Sequence, residues 1–340
     1  MQDIRYEAAN RGLKKRLFAG CQRLKSCISS KLQQQRDGTN LTKFGISLYF
    51  SGDNWKELVL RLPDWVKVKA PMGLHHNDTK LLLRNRGLAT VCEEARCPNI
   101  DECFSKPTAT FMILGSKCTR NCGFCSVESS PPEAVDPEEP ARVAEAAKEM
   151  GLRYVVVTSV TRDDLCDGGA EHFASTVYAV RRALPGAKIE VLTPDFRGRF
   201  DNLKTVLNAG PDVYNHNVET VPRLYPVVRA RADYKRSLSL LEHAKRSAPE
   251  IYTKSGLMLG FGEGFDEVID VLKDLRNAGC DLLTIGQYLR PSRSNLPVNE
   301  YISPDIFEKL RLIALSTGFK YVASAPLVRS SMNAEEMYYN

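Results

Sequence analysis

The chain has 340 residues, of which 43% are hydrophobic and 26% charged, with ten cysteines and a formal net charge of +6. That length suffices for one large domain or two ordinary ones, and no apolar run approaches the ~18 residues of a membrane span. Residues 1–50 carry ten Lys/Arg against three Asp/Glu, so the rest is close to neutral and gives no electrostatic reason to expect a nucleic-acid or membrane partner.

In residues 1–50, Leu13, Leu17, Cys21, Leu24, Ile28 and Leu32 recur every three or four positions, which allows an amphipathic helix. The expectation is a mobile basic arm in which Cys21 and Cys27 are bystanders. A mitochondrial presequence is the alternative, and Asp3 and Glu7 count against it. With no export signal read at the start, ten cysteines favour metal or cluster ligands in a reducing compartment, the cytoplasm, over disulfides.

Residues 51–108 read as an N-terminal extension. It holds Cys92, Cys97 and Cys103 in a C-x4-C-x5-C pattern around Pro98. Three thiolates in one irregular loop suit an iron–sulfur cluster, and a zinc loop is the plainer alternative.

From residue 109 the pattern alternates. Apolar, β-branched runs fall at 110–114, 153–160, 187–193, 213–218, 252–259 and 281–288, and helical periodicity at 138–150, 170–184, 199–209, 233–246, 264–278 and 303–317. Six β–α repeats predict a parallel sheet with helices outside it, and periodicity alone fits a doubly wound sheet or a partial (β/α) barrel equally. The barrel region is expected to end near residue 320, leaving 321–340 as a C-terminal segment that contains Arg329, Ser330 and Ser331.

Directly after the first of these strands come Cys118, Cys122 and Cys125, spaced C-x3-C-x2-C, with neither Cys nor His following until Cys166. Three thiolates can hold three irons of a [4Fe–4S] cube and leave the fourth open to a chelating small molecule. Zinc would want a fourth ligand nearby. This spacing resembles the signature of the radical S-adenosylmethionine superfamily.

The resemblance narrows when both cysteine motifs are read with their surroundings. EEARCPN, TATFMILG, CTRNCGFCSV, TSVTRDDLCDGGAEHF, LTPDFRGR, HNVETVPRLY, SGLMLGFGE, GQYLRPS and APLVRSS, spread over residues 61–333, resemble the blocks of the lipoyl synthase family. The resemblance implies a partial (β/α)6 TIM-type barrel with its rim covered by N- and C-terminal extensions. It implies a cluster on Cys118, Cys122 and Cys125 that binds and cleaves S-adenosylmethionine. A second [4Fe–4S] cluster on Cys92, Cys97 and Cys103 would be closed by a serine, Ser330 favoured and Ser331 open.

The implied reaction inserts sulfur, taken from the second cluster, at C6 and C8 of an octanoyl group. That group hangs on a lysine of a lipoyl carrier domain, such as a 2-oxoacid dehydrogenase E2 subunit or glycine cleavage H protein. An electron donor and an iron–sulfur carrier are the other implied partners. Gly168 and Gly169 would face the methionine moiety, or form an ordinary turn. Glu219 would reach the ribose, and Gly260, Gly262 and Glu263 the adenosine. His216 reads as a packing residue; Lys254 and Arg290 read as pocket residues or ion-pair members.

The chain departs from the family pattern at Asp101, Phe104, Cys166, Arg231, Arg290, Asn295 and Met332, none of them a ligand position. The competing readings are another two-cluster radical enzyme that inserts sulfur, and an electron-transfer iron–sulfur protein.

Overall fold

The computed structural model describes residues 62–67, 75–106 and 108–339, so the basic arm with Cys21 and Cys27 lies outside the described residues. Eight strands form one sheet in the order β1 (Ala89–Thr90), β2 (Thr110–Ile113), β5 (Tyr154–Ser159), β6 (Lys188–Leu192), β7 (Val213–Asn215), β8 (Tyr252–Leu259), β9 (Leu282–Gln287) and β10 (Tyr321–Ser324). The short β1 pairs antiparallel to β2, and every other pairing is parallel. A small ribbon, β3 (Lys117–Cys118) and β4 (Glu128–Ser129), stands apart.

This order decides between the two sheets that periodicity allowed. From β2 to β10 each strand of this sheet neighbours the next one that the chain adds to it, so the chain winds in one direction and never reverses. A doubly wound sheet needs a reversal point, and a barrel does not. Each long connection returns through a helix: Glu139–Glu149, Ala170–Ala183, Phe200–Asn208, Tyr234–Ser247, Phe265–Asn277 and Pro304–Ser316. All six fall where sequence periodicity predicts them. Among the described residues no helix is long and apolar enough to cross a membrane.

Strand side chains alternate between two environments, as the pleat requires. Val155, Val157, Ile189, Val191, Leu283 and Ile285 are buried against Val143, Phe173, Val177 and Leu240 of the outer helices in the main core. Their neighbours Tyr154, Val156, Val213 and Leu282 face the other way into a second, smaller cluster. That cluster is completed by Ala334, Met337 and Tyr338 of the C-terminal helix Ala334–Tyr339. The Tyr338 ring lies 6.0 Å from Tyr154 and 5.6 Å from Tyr252, which open their strands. The tail therefore does more than cover the rim. It leaves β10, passes Gln287 through a hydrogen bond to the Pro326 carbonyl, runs along the inner face, and ends at the opposite mouth.

Candidate active site

The loop with Cys118, Cys122 and Cys125 leaves β2 through two left-handed residues, Leu114 (φ 68°) and Gly115 (φ 86°). Its two ends are clamped by the ribbon, Lys117 opposite Glu128 and Cys118 opposite Ser129. Arg120, between the first two cysteines, seats the loop on its neighbours. It bonds Asp163 at 2.7 and 2.9 Å and the fully buried Asp195 at 2.6 Å. On the other side Asn295 Nδ2 donates to the Cys125 carbonyl at 2.7 Å, and Leu296 N donates to the Gly123 carbonyl at 2.9 Å. A Cβ at Gly123 would stand 2.7 Å from the Leu296 side chain, so this close approach requires glycine.

All six motif cysteines are free of disulfides. Burial pushes the Cys125 thiol up to about 12, helped by Cys122 and Cys118 and opposed by the Val127 N–H. Burial also raises Cys122, against the pull of Arg229. In the other loop burial lifts Cys92 to about 12 and Cys103 to about 11, each raised further by neighbouring cysteines, and lifts Cys97 as well. Thiols that disfavour one another's ionisation need a positive centre to become thiolates, and iron in a cluster supplies one. Among the described residues no group of His, Cys, Asp or Glu side chains converges on one metal-ion position. Ligands to separate irons of a cube have no need to converge in that way. The donor sets thus fit two clusters.

The C-terminal tail reaches the second loop from the far end of the chain. Buried Asn99, two residues past Cys97, donates to the Leu327 carbonyl at 2.7 Å and contacts Met332 Sδ at 3.1 Å. Arg329 lies close enough to Cys97 to favour its thiolate, and donates to the Val328 carbonyl at 2.7 Å. The two serines turn to different partners. Thr110 Oγ1 donates to Ser331 Oγ at 2.7 Å, and the same threonine lies close enough to Cys92 to favour its thiolate. Ser330 instead donates to Asn217 Oδ1 at 3.0 Å and accepts from Asn215 Nδ2 at 2.9 Å. Ser330, favoured from sequence, is thus engaged by the end of β7 rather than by the cysteine loop.

The remaining sequence-stated residues divide. Glu219 is strained (φ 67°), bridges to Leu257 of β8, and faces Cys122 and Cys125. Burial raises its carboxyl against the pull of Arg229 and Asn217. Gly168 and Gly169 have φ of 62° and 88°, and a Cβ on Gly169 would stand 2.2 Å from Leu114. Their glycine requirement is met by packing beneath the radical loop. Gly260 and Gly262 also have positive φ, with Gln287 and Asn299 where their side chains would go. The Glu263 carboxylate accepts the N–H groups of Gly260 and Phe261, so it holds its own turn.

His216 is fully buried, with Nδ1 2.9 Å from the Thr193 carbonyl and Nε2 3.0 Å from Ser237 Oγ, as a packing residue should be. Lys254 is an ion-pair member: its Nζ lies 2.9 and 3.0 Å from the Glu190 carboxylate, with both side chains fully buried. Arg290 bonds the carbonyls of Arg293 and Asn295 and shapes its own loop. Cys166 is exposed and belongs to neither triple. Sequence reasoning missed Arg120, Arg229, Thr110, Asn215 and Asn217. Only the placement of Arg120 inside the cysteine motif and of the asparagines beside His216 hinted at them.

Residues 112–285 match the profile described as the Radical SAM superfamily, and residues 18–97 match the N-terminal domain of lipoyl synthase of the Radical SAM family. A lipoyl synthase of Caldicellulosiruptor saccharolyticus is 57% identical over 274 residues, 81% of this chain and 96% of that one. One of Alkaliphilus metalliredigens is 54% identical over 278 residues, 82% of this chain and 96% of that one. Among solved structures, Streptococcus suis SuiB bound to S-adenosylmethionine aligns with a TM-score of 0.51 at 12% identity, over 66% of this chain and 54% of that one, a likeness of fold alone. Two cysteine loops on a singly wound partial barrel, and more than half of the aligned positions shared with relatives matched over nearly their whole length, place this chain in the lipoyl synthase family of radical S-adenosylmethionine enzymes.

Proposed function

We propose that the chain converts octanoyl groups on lipoyl carrier domains into lipoyl groups, using two [4Fe–4S] clusters. When bound, S-adenosylmethionine on one cluster supplies the radical that removes hydrogen from unactivated carbon, and the second cluster supplies the sulfur. Cys118, Cys122 and Cys125 hold the first cluster and leave one iron for the cofactor. Glu219 and the Gly168–Gly169 turn line its approach. Cys92, Cys97 and Cys103 hold the second cluster. The octanoyl-bearing domain belongs to a 2-oxoacid dehydrogenase or a glycine cleavage H protein, and an electron donor and an iron–sulfur carrier serve the two clusters.

The observation that carries this reading is the meeting of the second cysteine loop with a tail more than 220 residues away, through Asn99 and Thr110. It favours Ser331 over Ser330 as the closing ligand. Asn217 Oδ1 faces Ser330 and accepts that hydroxyl's hydrogen bond at 3.0 Å. An alkoxide at Ser330 would face the Asn217 oxygen and be repelled. Ser331 accepts a hydrogen bond from Thr110 and can lose its own proton without such a conflict.

Anaerobic turnover on an octanoyl-lysine peptide, read by mass spectrometry, tests the activity. Cys122→Ala should abolish deoxyadenosine formation yet retain roughly four irons per chain. Cys97→Ala and Ser331→Ala should still cleave S-adenosylmethionine and make no lipoyl product. Deoxyadenosine formation at the unsubstituted rate in Cys122→Ala would overturn the assignment.

A further inference from the structure

Two adjacent serines in the tail bond different elements: Ser330 holds two hydrogen bonds and Ser331 accepts one. Ser330 and Ser331 are the central residues of a turn closed by Met332 N, which donates to the Arg329 carbonyl at 3.0 Å. Here Ser331 turns to Thr110 at the start of β2, and Ser330 to the end of β7. The β7 side is a buried polar array in which Asn215 Oδ1 is left without a hydrogen-bond partner. Asn215 Nδ2 donates to Ser330 Oγ at 2.9 Å and to Glu190 Oε1 at 2.8 Å. Glu190 also binds the Lys254 ammonium and, at 2.7 Å, the Tyr154 hydroxyl. Asn215, Glu190 and Lys254 are all fully buried. Such an array cannot shift its donors without stranding charged groups, so it is a rigid reference for whatever docks on it.

We propose that Ser330 is a latch: a positioning residue whose two hydrogen bonds to Asn215 and Asn217 fix the register of the tail, so that Ser331 meets the auxiliary cysteine loop. A one-residue slip would present Ser330 or Met332 in place of Ser331. The latch holds the β7 end of the tail as Asn99 holds its Leu327 and Met332 carbonyl and sulfur groups from the cysteine-loop side. This inference rests on the reading of Ser331 as the closing ligand.

The test uses full-length chain in which Cys118, Cys122 and Cys125 are all alanine, so that iron reports the auxiliary site alone. Ser330→Ala, Ser330→Thr and Ser331→Ala are each made in it, and iron loss to a chelator is timed. Amide exchange of residues 327–333 is measured on the same proteins after iron removal. The latch predicts that Ser330→Ala loses iron on the order of tenfold faster, the scale of two forfeited hydrogen bonds. It also predicts that Ser330→Ala loses tail protection in the iron-free protein, and that Ser330→Thr, which keeps the hydroxyl, restores both. Ser331→Ala should lose iron readily but keep its tail protection. Unchanged iron loss in Ser331→Ala would overturn the ligand reading. Ready iron loss in Ser331→Ala, with Ser330→Ala matching the unsubstituted serine in both measurements, would overturn the latch alone.

Discussion

His216 offers a prediction whose size follows from the structure. Burial lowers its imidazole from 6.5 to about 4, with Arg229 and Arg120 opposing the charge and the Thr193 carbonyl and Asp195 favouring it. The folded protein therefore keeps His216 neutral while the unfolded chain protonates it. As pH falls from about 7 towards 4, the unfolded state gains protons that the folded state does not, so stability falls across that window and the loss levels off below it. With a shift of that size the loss between pH 7.5 and 4.5 is on the order of 2–3 kcal/mol. His216→Gln removes the titration and costs packing equally at both pH values. Urea unfolding of both proteins at the two pH values gives the assay. Other groups, including bound clusters, contribute alike to both and cancel. The unsubstituted protein should lose roughly 2–3 kcal/mol more than the variant on acidification. Equal losses would show that His216 does not carry this dependence.

Two other substitutions test the frame around the site. Lys254→Met should cost about 3–5 kcal/mol because Glu190 is left charged, buried and unpaired, lowering the melting midpoint by roughly 6–15 °C. Lys254→Met with Glu190→Gln should recover most of that; a double variant no better than the single would refute the pairing. Gly169→Ala should destabilise by roughly 1–3 kcal/mol, since a left-handed backbone and a close approach to Leu114 both oppose a side chain. Gly186→Ala, whose Cβ would meet nothing within 4 Å, should be near neutral by the same melting measurement.

Much of the fold was legible because it is local. The β-branched runs that form β5, β6 and β9 alternate into two cores, and the helices between them carry 3.6-residue stripes, so both periods could be counted. The turn of the sheet into a barrel could not, since doubly wound and singly wound sheets use the same β–α unit. Only the pairing of β2 with β5, and so on round to β10, separates them. The cysteine triples were legible because each lies in one short stretch. Lys254 was ambiguous because its partner, Glu190, stands 64 residues away on β6. Glu263 is the opposite case. Its carboxylate looked available beside two glycines, yet it satisfies the N–H groups of the turn those glycines make.

The choice between Ser330 and Ser331 shows where sequence stops and three dimensions begin. Both are serines, neighbours, and equally able to ligate iron, so nothing in composition or spacing ranks them. What separates them is the proton inventory of their surroundings. Asn217 Oδ1 accepts from the Ser330 hydroxyl, and Asn215 Nδ2 donates to the same oxygen of Ser330, so that serine's hydroxyl is already held from both sides. The constraint begins at the end of β7 and ends at the residue that aims the tail at the other cysteine loop. The preference for Ser331 is thus set by two asparagines that stand 115 and 113 positions before its neighbour Ser330 in the chain.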